Sequence, residues 1–214
     1  MINIKGCIFD LDGVIVDTAK YHYLAWKRLA AELGFFFSEK DNERLKGVSR
    51  IASLEILLQV GGLSLTKDKK LFLAERKNNW YVEYITAINE NEILPGAKKF
   101  IESAREAGLK VALGSASKNA RTILTGLKLT GYFDSIIDGN KVSKAKPDPE
   151  VFLMAAQELG LSPENCVVFE DASAGIEAAK RAGMRCIDVG TSPELSDADV
   201  SIPGFEGVDL NILM

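Results

Sequence analysis

The sequence contains little cysteine and histidine, with three cysteines and one histidine in 214 residues. Cys7, Cys166 and Cys186 have no cysteine or histidine partner at metal-site spacing, so we expect small buried apolar side chains rather than metal ligands or redox groups. No stretch approaches the roughly 20 apolar residues of a membrane-spanning helix. Residues 1–5 lack the charged-then-apolar pattern of a signal peptide, and we therefore expect a cytoplasmic protein.

An excess of positive charge is also absent. The chain has 26 Lys and Arg against 30 Asp and Glu, a net charge of −4 and a pI near 5.2. Such a balance offers no overall attraction to nucleic acid or to an anionic membrane, so groups that bind phosphate must be local. We expect a small-molecule anion in one basic pocket. No apolar surface repeat demands a protein partner, and we expect a monomer.

Apolar residues make up 47% of the chain, which argues against disorder. The length suits one α/β domain with an insertion, because domains commonly run to about 100–200 residues.

The stretch 6–18, GCIFDLDGVIVDT, carries the first chemical signal. A short apolar run ends at Asp10, and Asp12 follows with Gly13 beside it. Such a run reads as a buried strand, which puts both acids at its carboxyl end. Taken alone, the two acids are better explained as turn formers after a strand.

Residues 18–88 predict a helical insertion. Helical spacing and N-cap residues indicate four helices, over 19–33, 38–45, 49–60 and 66–88. The rest of the chain, 1–17 and 89–214, predicts an α/β core in which strands alternate with helices. Its expected strands cover 7–9, 110–114, 136–137, 166–169 and 185–189, with helices between them. This alternation is typical of a doubly wound parallel sheet with helices on both faces, here with an inserted four-helix cap domain.

Polar residues follow four of the expected strands. They are Asp10 with Asp12, Ser115, Lys146 in the loop KAKPDP, and Glu170 with Asp171. Because parallel strands point the same way, we expect these residues to converge at one edge of the sheet.

Carboxylate oxygens suit Mg²⁺, which binds through a few carboxylates and substrate phosphate. The cation and Lys146 would relieve repulsion between a phosphate and an attacking carboxylate. Asp10 is the predicted nucleophile, forming an aspartyl phosphate. Asp12, kept away from the metal, would give and later take a proton.

The run FDLDGVIVDT, Ser115 after VALG, Lys146 in KPDP and the acidic pair in VVFEDASAGIEAA resemble the four motifs of the haloacid dehalogenase superfamily, in order and spacing. The resemblance implies a Mg²⁺ site made by Asp10, the Asp12 carbonyl, Glu170 and Asp171. It implies that Ser115 and Lys146 bind the transferring phosphoryl group.

The cap segments DTAKYHYLAWKRLAAELG and LKGVSR, with GSASKNA and LTGYFD, resemble the sugar-phosphate mutases of that superfamily. Such enzymes interconvert β-glucose 1-phosphate and glucose 6-phosphate through a 1,6-bisphosphate. The resemblance implies a substrate-binding set of Thr18, His22, Lys46, Gly47, Val48, Arg50, Ser53, Lys77, Ala116, Ser117, Lys118 and Asn119. Arg50, Ser117, Lys118 and Asn119 are implied for the second phosphate and the sugar.

One residue departs from the family pattern, because Ala172 stands where the acidic motif usually has serine. This removes a hydroxyl near the proposed metal ligands. Trp26 is expected to pack within the cap. Two alternatives stay open: a sugar-phosphate phosphatase of the same superfamily, and a sugar-phosphate binding protein without turnover.

Overall fold

The computed structural model describes residues 4–45, 49–190 and 197–213. The chain divides into two compact units, one made of Met1–Asp17 and Ile88–Met214 and the other of Thr18–Ala87. Ile88 belongs to the first unit, whereas the sequence-based division put it in the second.

The first unit is built on a six-stranded parallel sheet in the order β3-β2-β1-β4-β5-β6. Its strands are β1 (Gly6–Phe9), β2 (Lys110–Gly114), β3 (Ser135–Ile137), β4 (Cys166–Glu170), β5 (Arg185–Val189) and β6 (Val200–Ile202). The parallel sheet confirms the predicted α/β class. β6 was missed because three residues among polar neighbours give too short a signal.

The second unit contains four helices within its described residues: α1 (Ala19–Glu32), α2 (Glu39–Glu43), α3 (Arg50–Val60) and α4 (Lys67–Ile85). Ser38 caps α2 in a capping box with Asp41, and Ser49 caps α3 by accepting from the amide of Ala52 at 3.3 Å. Glu55 on α3 pairs with Lys70 on α4 at 2.7 Å. Among the residues described, no helix is long and apolar enough to cross a membrane.

Helices of the first unit cover both faces of the sheet. They are α5 (Ala97–Glu106), α6 (Ala120–Gly126), α7 (Glu150–Leu159) and α8 (Ser173–Arg181). Side chains alternate between the faces along each strand. Ile8 and Val168 therefore join the core of α7 and α8. Phe9 and Phe169 stack at 4.7 Å on the other face, where Phe100 of α5 packs edge-on against Phe169.

Cys7, Cys166 and Cys186 are buried and free, as predicted. Burial raises the pKa of the Cys7 thiol to about 12, which keeps it protonated.

Strand register determines which side chains meet at the carboxyl edge of the sheet. Ile8 pairs with Val168 and Phe9 with Phe169, and the amide of Asp10 donates to the Phe169 carbonyl at 2.9 Å. Asp10 therefore lies beside Glu170, the last residue of β4. Both side chains point to the same face, because they follow Ile8 and Val168 by two residues.

Candidate active site

Lys146 joins the acids of two neighbouring strands. Its Nζ donates to Oδ1 of Asp10 at 2.5 Å and to Oε1 of Glu170 at 2.6 Å. The lysine side chain and the two acids are 10% exposed or less. Burial alone would lower the pKa of Lys146, but Asp10 and Glu170 outweigh it and raise the pKa above its usual value. The structure thus brings together three of the residues that the sequence predicted.

Asp171 is held beside this group by the turn after β1. A Cβ built on Gly13 would overlap the Asp171 carboxylate, and Gly13 has a positive φ of 82°. Only glycine suits this position. Burial, and then the charges of Glu170 and Asp10, raise the pKa of Asp171. Burial likewise raises the pKa of Asp10, although Lys146 opposes it.

The Glu170 carboxylate is also fixed from the side of α8. Its Oε2 accepts from the amides of Asp171 at 2.7 Å and Ala172 at 2.8 Å. A Cβ on Gly175 would overlap Oε1, so glycine lets the helix approach this side chain. The amide of Ala172 contributes here whatever its side chain. The missing serine hydroxyl leaves this part of the support unchanged.

The donor set fits a hard cation such as Mg²⁺. Asp10, Glu170 and Asp171 supply carboxylate oxygens. Burial, followed by the charge of Glu170, raises the pKa of both aspartates, and a bound cation would lower it again. Across residues 4–45, 49–190 and 197–213, however, no group of three or more His, Cys, Asp or Glu is set to hold a metal ion. The Lys146 ammonium contacts two of the three acids directly. The metal assignment stays a prediction.

The segment 115–119 follows β2 and carries Ser115, Ala116, Ser117, Lys118 and Asn119. Oγ of Ser115 accepts from the amide of Ser117 at 3.1 Å, and Oγ of Ser117 accepts from the amide of Asn119 at 3.3 Å. Each hydroxyl that accepts a bond in this way keeps its own proton for donation. Ser115 is 2% exposed, whereas Ala116 and Lys118 are exposed.

Two residues after β3 hold this segment, and sequence reasoning missed both. The amide of Gly139 donates to the Ser117 carbonyl at 3.1 Å, and Nδ2 of Asn140 donates to the Lys118 carbonyl at 3.0 Å. A Cβ on Gly139 would overlap the Ala116 carbonyl oxygen. The Asp-Gly-Asn turn is the sequence signal that could have found them.

The helical unit contains a second buried lysine. Nζ of Lys77 lies 2.8 Å from Nδ1 of His22 and faces the rings of Trp26 at 4.5 Å and Tyr81 at 4.9 Å. Burial, followed by Arg50, lowers the pKa of Lys77 to about 7. Burial, then Lys77, lowers the pKa of His22 well below its usual value. Trp26 is buried, as expected of a packing residue.

Thr18, Arg50 and Ser53 are the other predicted residues of this unit that the structure describes. Tyr81 donates from its hydroxyl to Oγ1 of the buried Thr18 at 3.4 Å. Nη1 of Arg50 lies 3.4 Å from Oε2 of Glu75, and Ser53 is buried on α3. Lys46, Gly47 and Val48 lie outside the described residues.

Comparison with known proteins relates the chain to enzymes of phosphate chemistry. A haloacid dehalogenase-like hydrolase family model matches residues 4–183. A β-phosphoglucomutase of Bacillus subtilis is 41% identical over 98% of this chain and 93% of its own length. The crystal structure of β-phosphoglucomutase from Clostridium difficile has a TM-score of 0.90 and 42% identity, over 98% of this chain and 95% of that one. A phosphorylated carbohydrates phosphatase of Thermotoga maritima is 34% identical over 86% of this chain and 83% of its own length.

Proposed function

This chain belongs to the haloacid dehalogenase-like hydrolase family, and from that premise we propose that it is an isomerase that acts as a β-phosphoglucomutase. It interconverts β-glucose 1-phosphate and glucose 6-phosphate through a phosphorylated aspartate and β-glucose 1,6-bisphosphate. The observation that carries the proposal is the buried Asp10–Lys146–Glu170 group, in a chain that matches a mutase over almost its whole length.

Asp10 is the nucleophile in this proposal. Its carboxylate follows β1 directly, and Lys146 holds one of its oxygens, which fixes the orientation of the other. Attack on a phosphate dianion brings two negative groups together, and the Lys146 ammonium offsets their repulsion. The Ser115 hydroxyl, which accepts from Ser117 and keeps its proton, donates to an oxygen of the phosphoryl group.

Asp12 is the general acid and base. It lies in the turn after β1, where Gly13 donates from its amide to the Val16 carbonyl at 2.8 Å. It protonates the leaving oxygen and later takes a proton from the sugar hydroxyl that attacks the aspartyl phosphate.

We propose Mg²⁺ as the cofactor, held by the carboxylates of Asp10, Glu170 and Asp171 and by the Asp12 carbonyl. When bound, it neutralises charge on the acids and on the phosphoryl oxygens.

We propose that the helical unit is the cap domain. Thr18, His22, Lys46, Gly47, Val48, Arg50, Ser53 and Lys77 would contribute to substrate binding from it, together with segment 115–119 of the core. A bisphosphate needs a second anion site, and Arg50 and Lys118 are the side chains proposed for it.

The proposed partners are small-molecule sugar phosphates, in keeping with the names of the relatives. We propose a cytoplasmic monomer that binds neither nucleic acid nor membranes. The net charge of −4 supports the expected lack of binding to nucleic acid and anionic membranes.

Phosphorus NMR of the purified protein tests the function. With Mg²⁺, β-glucose 1-phosphate and a trace of the bisphosphate, we expect glucose 6-phosphate to accumulate. Asp10→Asn should abolish the conversion, because an amide cannot form the aspartyl phosphate. Conversion at the wild-type rate by Asp10→Asn would overturn the assignment of Asp10.

The similarity to a phosphatase supports a second candidate function, in which water instead of a sugar hydroxyl takes the phosphoryl group from Asp10. Release of free phosphate without glucose 6-phosphate in the same NMR experiment would favour this hydrolase. A spectrum that does not change would favour a binding protein without turnover.

A further inference from the structure

Lys146 lies in the loop that precedes α7, outside any strand or helix. A lysine ammonium sits at the end of a flexible four-carbon chain. Its two short contacts with Asp10 and Glu170 therefore require that the loop backbone itself be held in place.

The carboxylate of Glu150, the first residue of α7, closes this loop. It accepts from the amide of Ser143 at 3.1 Å, from Oγ of Ser143 at 3.0 Å and from the amide of Lys144 at 2.7 Å. Hydrogen bonds to a charged acceptor are about twice as strong as neutral ones. The backbone bonds to Ser143 and Lys144 lower the pKa of Glu150, which keeps it ionised.

Asp148 makes further contacts within the same loop. Its Oδ1 accepts from the amide of Glu150 at 3.1 Å, and its Oδ2 lies 3.4 Å from Nζ of Lys144. Its own amide donates to the Ala145 carbonyl at 3.0 Å. The two hydrogen bonds join the two sides of the loop around Lys146, and the ion pair with the exposed Lys144 side chain adds little to them.

Helix α7 also contacts the ammonium itself. The ring of Phe152 lies 4.7 Å from Nζ of Lys146, two residues after Glu150. The first turn of α7 thus supplies both the Phe152 ring beside the Lys146 ammonium and the Glu150 carboxylate that binds the backbone of the Lys146 loop.

We propose that Glu150 is a positioning residue for Lys146, so that loss of its carboxylate frees the lysine from Asp10 and Glu170. This deepens the proposed function, since it rests on Lys146 stabilising the transferring phosphoryl group. A carboxylate at the first position of a helix also favours the helix dipole, and that role alone would leave Lys146 in place.

Lysine reactivity separates the two roles without any substrate. Wild type, Glu150→Gln and Glu150→Ala are treated briefly with acetic anhydride, and modification of Lys146 is measured by peptide mass spectrometry. Lys128, 75% exposed, serves as the internal reference. Glu158→Ala is the matched control, since this acid of α7 accepts from Ser135 and from Lys141, at the start of the connection, rather than from Ser143 and Lys144.

We expect Lys146 to react at least about fivefold faster in Glu150→Ala, with Lys128 unchanged and with Glu158→Ala like wild type. Glu150→Gln should lie between, because its NH₂ group faces amide donors. In turnover assays kcat should fall by about 10–100-fold, with KM changed less than about threefold, since the lysine acts on the transition state.

Unchanged reactivity of Lys146 in both Glu150 variants would overturn the proposal. Equal increases in Glu150→Ala and Glu158→Ala would also overturn it, by showing a general loosening of α7. If wild type has no mutase activity, the proposed function fails, while the reactivity of Lys146 still decides the role of Glu150.

Discussion

Lys146 and Lys77 are lysines with largely buried side chains, one in each unit, and their surroundings differ in one respect. Both ammonium groups lie over aromatic rings, Lys146 over Phe152 and Lys77 over Trp26 and Tyr81. Lys146 also contacts two carboxylates, whereas the hydrogen-bond partner of Lys77 is an imidazole. The pKa of Lys146 is raised and that of Lys77 is lowered to about 7.

The difference shows that burial does not by itself set the charge of a lysine. Desolvation opposes the charge at both positions, and only the paired acids reverse its effect. Lys146 is therefore a fixed cation in the α/β unit. Lys77 exchanges a proton near neutral pH in the helical unit.

Replacing Lys146 with methionine should have the largest effect. The change leaves Asp10 and Glu170 buried next to each other without a cation. Removing one partner of a buried ion pair costs about 3–5 kcal/mol, and we expect a loss of that size in the free energy of unfolding at pH 7. Urea denaturation in the presence of EDTA measures it. Saturating Mg²⁺ should reduce the loss, since a cation would again offset the acids.

Lys144→Met is the control for this variant. Lys144 belongs to the same loop and its side chain is 69% exposed, so its surface ion pair with Asp148 should contribute little. A Lys146→Met protein as stable as Lys144→Met would show that the acids do not need the lysine.

Replacing Lys77 with methionine should raise the free energy of unfolding, opposite to the effect of Lys146→Met. Keeping the Lys77 ammonium protonated at this buried site destabilises the folded state. We therefore expect the methionine variant to gain about 1–3 kcal/mol of stability at pH 7, after the lost contact with His22 is included. The unfolded chain keeps its lysine proton up to the usual value of 10.5, while the folded chain loses it from about pH 7. The stability of the wild type should rise across this window, and the gain from methionine should shrink with it.

Unfolding curves at several pH values between 7 and 10.5 test this dependence, with Lys69→Met, an exposed change on α4, as the control. A gain that stays constant with pH would contradict the lowered pKa of Lys77.

Replacing Ala172 with serine should change the stability least. The variant tests the position whose amide donates to Glu170, one of the two acids that contact Lys146. Ala172 is the N-cap of α8, with the extended backbone that capping requires, and gives no side-chain cap. A serine hydroxyl there would accept a helix amide and raise stability by about 0.5–1 kcal/mol. Thermal unfolding measures the change. A similar gain in Ala172→Val would exclude capping as its cause.

The meeting of Asp10 and Glu170 at one edge of the α/β unit was predictable from the sequence, because parallel strands fix where their ends meet. Asp10 and Glu170 meet because β1 and β4 pair in register. The helices of both units were also predictable, with ends displaced by a few residues. The fourth, for example, was expected to reach residue 88 and ends at Ile85.

Contacts that depend on the path of a loop were not predictable. Glu150 and Asn140 bind backbone groups of segments that no periodic pattern describes. The lowered pKa of Lys77 follows from packing between helices, which spacing within one helix does not specify. The contacts of residues that follow a Pro or Gly turn are therefore the hardest to predict from a sequence.

β1, the strand that Asp10 follows, is synthesised before the other strands of its sheet and is paired late. β1 ends at Phe9, but its neighbours are Lys110–Leu113 on one side and Cys166–Phe169 on the other. Translation at about 5–20 residues per second leaves β1 without a partner for roughly 5–20 s, while the local contacts of the helical unit can already form. An unpaired apolar strand in a growing chain is a target for chaperones. We therefore expect the yield of this protein to depend on them more than the stability of its finished fold suggests.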